Sequence, residues 1–429
     1  MKAIGIDLGT TSICGVLLDG DSGKVLSKYT LQSEAFLQSA HSWEKIQDTE
    51  KIISLAKEII EQLLKKGAED VSVIGITGQM HGIVYYDEQG KAVSPLYTWQ
   101  DQRGNLAYQD TTYAGALGSC TGYGNVTDFY NRVNGIRPKE AAGYCTIHDY
   151  LAMHLCGLKR AKIHTSDAAS FGCYNLENRT FSYDNTEEVL DGFHIIGTYR
   201  GIPVSLAIGD NQASVFSTLA DKKALLVNIG TGSQITVISD RIVNADDVEC
   251  RPYFEGKYLL VGAALCGGRA YSILKNFYQE LLQTVGVTTD VYQVMNRLLE
   301  GKTESSLTVD TRFAGTRRQP LLTGSITGIT TENLTPGDLT YGVLQGMIDE
   351  LWQLYRKMDV KRHNVIGSGN AIRLNPTLIR IIEQQFGGTL RIPQHMEEAA
   401  FGAALYGLVA CGKFPDMAQA QGLIRYKEI

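Results

Sequence analysis

Two short segments join a tight glycine turn to side-chain hydroxyls: Gly9-Thr10-Thr11-Ser12 and Gly230-Thr231-Gly232-Ser233. Glycine lets a backbone approach a ligand closely, and successive N–H groups in a turn form a concave site for an anion. Either turn alone also reads as ordinary hairpin chemistry. The pair, with Asp7 just ahead of the first, points to a polyphosphate held from both sides. Asp7 interrupts the apolar alternation of Ile4, Ile6 and Leu8. A buried acid is costly unless it is paired or near a metal. Asp7 is therefore either a strand residue facing a polar side or a group that positions Mg²⁺, and its place before the turn favours the second role.

A second carboxylate, Asp210, follows the apolar stretch Val204 to Ile208 in the segment Gly209-Asp210-Asn211-Gln212-Ala213-Ser214. An acid at a strand end, just before a helix, sits where ligands bind in open α/β folds. There it could take the proton of a hydroxyl undergoing phosphoryl transfer. It could instead cap a helix beginning at Asn211 or Gln212, and taken alone the cap is the better reading. Gly367-Ser368-Gly369-Asn370 leaves a similar choice between a backbone turn laid flat against a nucleoside and a strand-to-helix turn capped by Asn370. The sequence contains no G-x-x-x-x-G-K-[ST] and no strand-linked G-x-G-x-x-G, which disfavours P-loop and dinucleotide sites.

The elements that must position these residues show a duplication. IGIDLGTTSICGV from Ile4 and LVNIGTGSQITV from Leu226 align at an offset of 221 residues, placing Asp7 against Asn228, Gly9 against Gly230, Thr10 against Thr231 and Ser12 against Ser233. Both read as strand, turn, strand. A repeat at half the chain length predicts two related halves, unlike a solenoid with its period of roughly 20–50 residues. The spacing predicts a helix between Asp48 and Gly67, a strand over Val71 to Ile76, and further helices over Val343 to Met358 and Glu397 to Cys411, the last closed by Gly412. The halves are expected to pack around a cleft, with a boundary near residue 205.

Of the 429 residues, 46 are acidic and 40 basic, giving a net charge of −6 with no basic block or stripe. A nucleic-acid or anionic-membrane partner is therefore not expected. There is neither a signal-peptide pattern at the start nor an apolar run of 18 residues, and the eight cysteines include no C-x-x-C pair. Buried thiols in a reducing, cytoplasmic setting are expected.

In chain order, DLGTTS at Asp7, TGQMHG at Thr77, WQDQR at Trp99, GDNQAS at Gly209, NIGTGS at Asn228, GSGNA at Gly367 and EEAAFGAAL at Glu397 resemble the landmarks of the FGGY carbohydrate kinases. These share a fold group with hexokinase, actin and the heat-shock chaperone ATPases. The resemblance covers nearly the whole chain. It implies an α/β protein of two related ribonuclease-H-like (actin-like ATPase) domains flanking a central cleft. Residues 1–205 would form the N-terminal domain with the sugar and phosphate loops. Residues 206–429 would form the C-terminal domain with the catalytic Asp and the ATP site.

Carried over residue by residue, the resemblance makes Asp210 the general base and Asp7 the residue that orients Mg²⁺. Thr10, Thr11, Ser12, Gly230 and Thr231 would hold the phosphates of ATP, and Gly367, Gly369 and Asn370 would contact adenosine. Gln79, Met80, His81, Trp99 and Asp101, with Asp210 and Asn211, would contact the sugar. Without the resemblance His81 reads as a satisfied loop histidine and Trp99 as core. TIHDYLAMHLCGL at Thr146, SDAASFG at Ser166, CGGRAYSIL at Cys266 and GTRRQPLLTGSITGIT at Gly315 resemble the branch of the family that acts on sedoheptulose. The xylulose branch usually carries G-E-R-x-P where Gly315 to Pro320 stands.

The expected reaction is thus transfer of the γ-phosphate of ATP to a ketose, with sedoheptulose 7-phosphate as product. A kinase for another ketose such as D-xylulose is the alternative within the family. An actin-like or chaperone-like ATPase would share the two turns and Asp7 without needing TGQMHG or WQDQR. The expected partner is a small sugar, and a homodimer stays open.

Overall fold

In the computed structural model, residues 1–67, 70–185, 187–316, 319 and 321–427 are described. They fall into two compact units that interleave along the chain. The first comprises Met1–Ala220, Arg251–Gly256 and His395–Arg425, and the second comprises Asp221–Cys250, Lys257–Gln394 and Tyr426–Ile429.

In the first unit, β1 (Lys2–Leu8), β2 (Ser12–Asp19) and β3 (Val25–Gln32) form an antiparallel meander. Helix α1 (Thr49–Gly67) then carries the chain across to β4 (Val71–Gly78), which pairs parallel with β1. A parallel neighbour needs such a crossover, because a tight turn can join only antiparallel strands. Asp48 Oδ1 accepts the Lys51 N–H (3.0 Å), and Ile52, Ala56, Ile59 and Leu63 fall on one buried face of α1. The helix expected between Asp48 and Gly67 is present.

Further along lie α2 (Ile147–Leu155) and α3 (Thr165–Ser170). The expected Val204 to Ile208 run divides into β5 (Ile202–Ser205) and β6 (Ile208–Gly209), both parallel to β4, before α4 (Asp210–Thr218).

The second unit repeats the pattern. Strands β7 (Ala224–Ile229), β8 (Ser233–Ser239) and β9 (Tyr258–Ala264) form a meander followed by α5 (Gly268–Thr284) and α6 (Pro336–Lys357), after which β10 (Asn364–Ser368) pairs parallel with β7. Ile229 ends β7 just as Leu8 ends β1, 221 residues earlier, and Ser233 starts β8 as Ser12 starts β2 at the same offset. Helices α7 (Asn370–Leu374) and α8 (Pro376–Phe386) follow. Helix α6 starts seven residues before the expected Val343. Thr335 caps it by accepting the Asp338 N–H, and Pro336 occupies its first turn, a start signal that apolar spacing alone does not reveal.

The last helix, α9 (Glu398–Ala410), returns to the first unit and is apolar all round, as a helix buried on every side must be. It ends at Cys411 with Gly412 at φ 79°, and the Lys413 N–H reaches the Leu408 carbonyl, so the expected glycine closure holds. Its approach to the sheet is set by a pair of glycines opposite each other, Gly5 in β1 and Gly75 in β4. A Cβ on Gly5 would stand 1.8 Å from the Ala400 oxygen, and one on Gly75 would stand 1.9 Å from the Ala403 oxygen. Backbone packs on backbone here. Gly75→Ala should lower the urea midpoint, at a cost of about 1–3 kcal/mol or more from overpacking. An unchanged midpoint would show that α9 does not sit this close.

Candidate active site

The first glycine turn joins β1 to β2. The Thr10 carbonyl accepts from Ser33 Oγ (3.0 Å) and Gln47 Nε2 (2.7 Å), and the Thr11 carbonyl accepts the Ser33 N–H (2.8 Å). With both carbonyls tied back, the Thr10 and Thr11 amides have no partner among the described residues. The Thr10 hydroxyl donates to Gln79 Oε1 (3.1 Å) and accepts from Trp99 Nε1 (3.0 Å). The structure therefore brings one expected phosphate residue into contact with two expected sugar residues. Gln79 is fixed from its other end by Gln47 (2.9 Å). Trp99 is 45% exposed, whereas a core tryptophan would be covered.

Met80 is buried with its sulfur against the Gly209 backbone, where a Cβ would stand 2.6 Å away. His81 has φ 73°, an uncommon conformation for a side-chain-bearing residue. It is held by its amide to Ser170 Oγ (3.2 Å), by its Nδ1 to the Ser170 carbonyl (2.9 Å), and by stacking on Tyr123 (4.3 Å between ring centres). A carbonyl only accepts, so Nδ1 carries the proton. Asp101 faces inward and is fully buried. Its two oxygens accept from the Lys45 and Arg103 amides and from Arg103 Nε and Nη2. It shapes the loop that presents Trp99.

Asp210 opens α4, and Gly209 is the N-cap, with no side-chain capping bond. Asp210 is thus a first-turn residue and does not cap the helix. The strand end beneath it is pinned by Thr77 Oγ1 to the Ile208 carbonyl (2.7 Å) and by the Gly209 N–H to Ser166 Oγ (3.1 Å). Burial raises the proton affinity of Asp210 above the usual carboxylate range, against the opposing charges of His148 and Arg251. Asp7 responds similarly. Burial first, then the negative charges of Asp210 and Glu397, push its pKa to about 7, and its Oδ1 is buried with no hydrogen-bond partner among the described residues. The two expected acids are therefore electrostatic neighbours.

Behind them lies a group that the residue-level reading missed. His148 Nε2 meets Asp167 Oδ1 at 2.9 Å with both side chains fully buried, and ligand atoms of His148, Asp149 and Asp167 lie within 4.8 Å of one another. Asp149 is already engaged as the cap partner of Thr146 (2.7 Å), and the set packs as a buried shell. Both segments stand out in the sequence by their resemblance to the family alone. A histidine next to an acid at a helix start was the signal available.

In the second unit the turn between β7 and β8 is bound to the start of α5. The Gly268 and Arg269 amides donate to the Gly230 (2.9 Å) and Thr231 (3.0 Å) carbonyls. There is no room for side chains at this approach, since a Cβ on Gly267 would meet the Gly232 carbonyl carbon at 2.4 Å and one on Gly268 the Gly230 oxygen at 2.5 Å. The Thr231 and Gly232 amides have no partner among the described residues. Asn228 Nδ2 donates to Ser368 Oγ (2.8 Å) across the β7–β10 pair, so the turn and the Gly367–Asn370 loop share one sheet edge.

Gly369 (φ 90°) is the N-cap of α7, and its Cβ would meet the Ile229 oxygen at 2.3 Å. Asn370 is the first helical residue, which removes the reading of Asn370 as a cap. Beyond it, Asn375, Thr377, Arg380 and Glu383 line an open cavity of ≈ 500 Å³ with Asn296 and Leu299. In the segment beginning at Gly315, Arg317, Arg318 and Pro320 lie outside the described residues.

Among known proteins, the N-terminal domain model of the FGGY family of carbohydrate kinases matches residues 2–115 and the C-terminal domain model residues 225–411. The sedoheptulokinase of Mus musculus is 28% identical over 94% of this chain and 96% of its own length. A xylulose kinase of Staphylococcus epidermidis is 22% identical over 96% and 88%. Of solved structures, the ligand-bound xylulose kinase from Lactobacillus acidophilus superposes with a TM-score of 0.85 at 18% identity, covering 100% of this chain and 93% of that one. No helix among the described residues is long and apolar enough to cross a membrane. With both domain models matched in order, and with the duplicated hairpins and two coupled acids in place, this chain belongs to the FGGY family of carbohydrate kinases, phosphotransferases that act on a sugar hydroxyl and use ATP.

Proposed function

We propose that this kinase transfers the γ-phosphoryl group of ATP to the terminal C7 hydroxyl of sedoheptulose, with Asp210 as the base. The observation that carries the proposal is the state of Asp210: a carboxylate at a strand end, made more basic by burial, in the same unit as the Thr10–Gln79–Trp99 contact set. As the sugar oxygen bonds to the γ-phosphorus and the bond to the β-phosphate oxygen breaks, the hydroxyl proton passes to Asp210 and ADP leaves.

Gln79, Met80, His81, Trp99 and Asn211 would surround the acceptor, with the Trp99 ring covering an apolar sugar face. Asp101 would act through Trp99's loop. Thr10, Thr11 and Ser12 in the first unit, and Gly230 and Thr231 in the second, would contact the phosphates. Gly367, Gly369 and Asn370 would contact adenosine. The choice of sedoheptulose rests on the 28% identity to a sedoheptulokinase over nearly the full length of both proteins. A cytoplasmic location fits the eight free thiols.

Asp7 fits a Mg²⁺ site, because a buried carboxylate oxygen without a partner is satisfied by a cation. When bound, Mg²⁺ supplies neutralisation of phosphate charge. Without it, the raised pKa of Asp7 favours the protonated folded state. That contribution to stability is complete below about pH 4 and is lost as pH rises through about 7. Asp7→Asn, neutral at all pH, should therefore raise the stability of the ligand-free chain at pH 8 by about 1–3 kcal/mol while abolishing Mg²⁺-dependent turnover. Lower stability of the variant at pH 8, read from denaturant midpoints, would contradict the assignment.

ADP release should be stimulated most by sedoheptulose in a panel of five-, six- and seven-carbon ketoses. A preference for D-xylulose would move the substrate, and turnover indifferent to every sugar would end the kinase mechanism. Asp210→Asn should lower kcat by about 10²–10⁴-fold with sugar binding retained in calorimetry. The acid limb of wild-type kcat/KM should lie above the ordinary carboxylate range, because the base must be ionised to act.

A further inference from the structure

Helix α5 begins against the second glycine turn with an unusual composition. Its N-cap is Gly267, which has no side chain to cap with, and its first turn holds no acid but does hold Arg269. The positive end of a helix dipole favours carboxylates and disfavours cations, so an arginine there is unfavourable unless an anion joins it. Arg269 is exposed, and its guanidinium has no hydrogen-bond or ion-pair partner among the described residues. Side chains in a helix lean back toward its N-terminus, which for Arg269 is the side of the Gly230–Gly232 turn. The neighbouring Cys266 thiol is consistent with this direction: burial raises its pKa, and the positive charge of Arg269 opposes the rise.

Two further donors stand at the same place: the Thr231 and Gly232 amides have no partner among the described residues. The Arg269 amide holds the turn in position through Thr231 (3.0 Å), so the residue is anchored to the structure it would serve.

We infer that Arg269 is a nucleotide-binding residue whose guanidinium contacts the β- or γ-phosphate of ATP held at the Gly230–Gly232 turn. This rests on the reading that the turn binds ATP phosphates. Planar guanidinium groups match phosphate oxygens two at a time, which a lysine cannot do. The contact is made in the ground state, so it acts on binding of any nucleotide that reaches beyond the α-phosphate. Adenosine and the α-phosphate do not need it.

The test compares the wild-type chain with Arg269→Ala and Arg269→Lys by calorimetry with MgATP, MgADP and AMP, alongside sugar-dependent ADP release. Arg269→Ala should weaken MgATP and MgADP by about 10–100-fold, the range of a charge-assisted contact, and leave AMP unchanged. Its KM for ATP should rise in parallel while kcat at saturating ATP stays within about threefold. Arg269→Lys should fall between the two. The exposed position predicts an unchanged melting temperature.

Equal nucleotide affinities in wild type and Arg269→Ala would overturn the inference and leave the kinase reading intact. So would a loss that AMP shares equally, because Arg269 would then act through the turn's shape. A wild-type chain that binds none of the three nucleotides would refute the kinase reading and the inference with it.

Discussion

The first unit is organised by a helix whose backbone touches the backbones of its neighbours. Helix α9 meets β1 at Gly5, β4 at Gly75 and, through its own Gly402, the Ala213 carbonyl of α4, where a Cβ would stand 1.9 Å away. Such contacts have almost no slack, since any side chain inserted there must push whole elements apart. β1 delivers Asp7 and the first glycine turn, β4 leads into the loop with Gln79, Met80 and His81, and α4 begins with Asp210. The three strips of chain that carry the candidate site residues are thus clamped by one apolar helix formed near the end of the sequence.

That arrangement forces carboxylates into poorly solvated positions. Asp210 adds to the cost of ionising both Asp7 and Asp167, while the charges of His148 and Arg251 offset part of the burial cost at Asp210 itself. A protein selected for stability alone would replace Asp7 with a neutral residue. Its retention makes sense if a cation and a nucleotide complete the site. The same property makes Asp210 a better proton acceptor than an exposed carboxylate, provided it is ionised at the working pH.

The second unit uses the same hairpin with a different support. In the first unit the turn carbonyls are tied to Ser33 and Gln47, both from the same unit. In the second, two helix amides reach the turn because Gly267 and Gly268 leave space. Both devices tie carbonyls back and leave amides with no partner among the described residues, which is the electrostatic requirement for an anion. Trp99 and Arg269 stand beside the first and second turns respectively.

The hairpins, their boundaries and the close of α9 at Gly412 were legible in the sequence, because turns, caps and strand alternation are decided by neighbours a few residues apart, and the family was legible through the resemblance of its ordered motifs. The tertiary structure alone decided which groups are spent and which are available. Asp101 is saturated by Lys45 and Arg103, the Thr10 hydroxyl faces Gln79 and Trp99, Asp210 yields the capping position to Gly209, and the Arg269 guanidinium has no partner among the described residues. These outcomes depend on burial and on contacts between residues as much as 89 positions apart, as between Thr10 and Trp99. Local sequence carries no record of such contacts, because desolvation and pairing exist only once the chain has closed on itself.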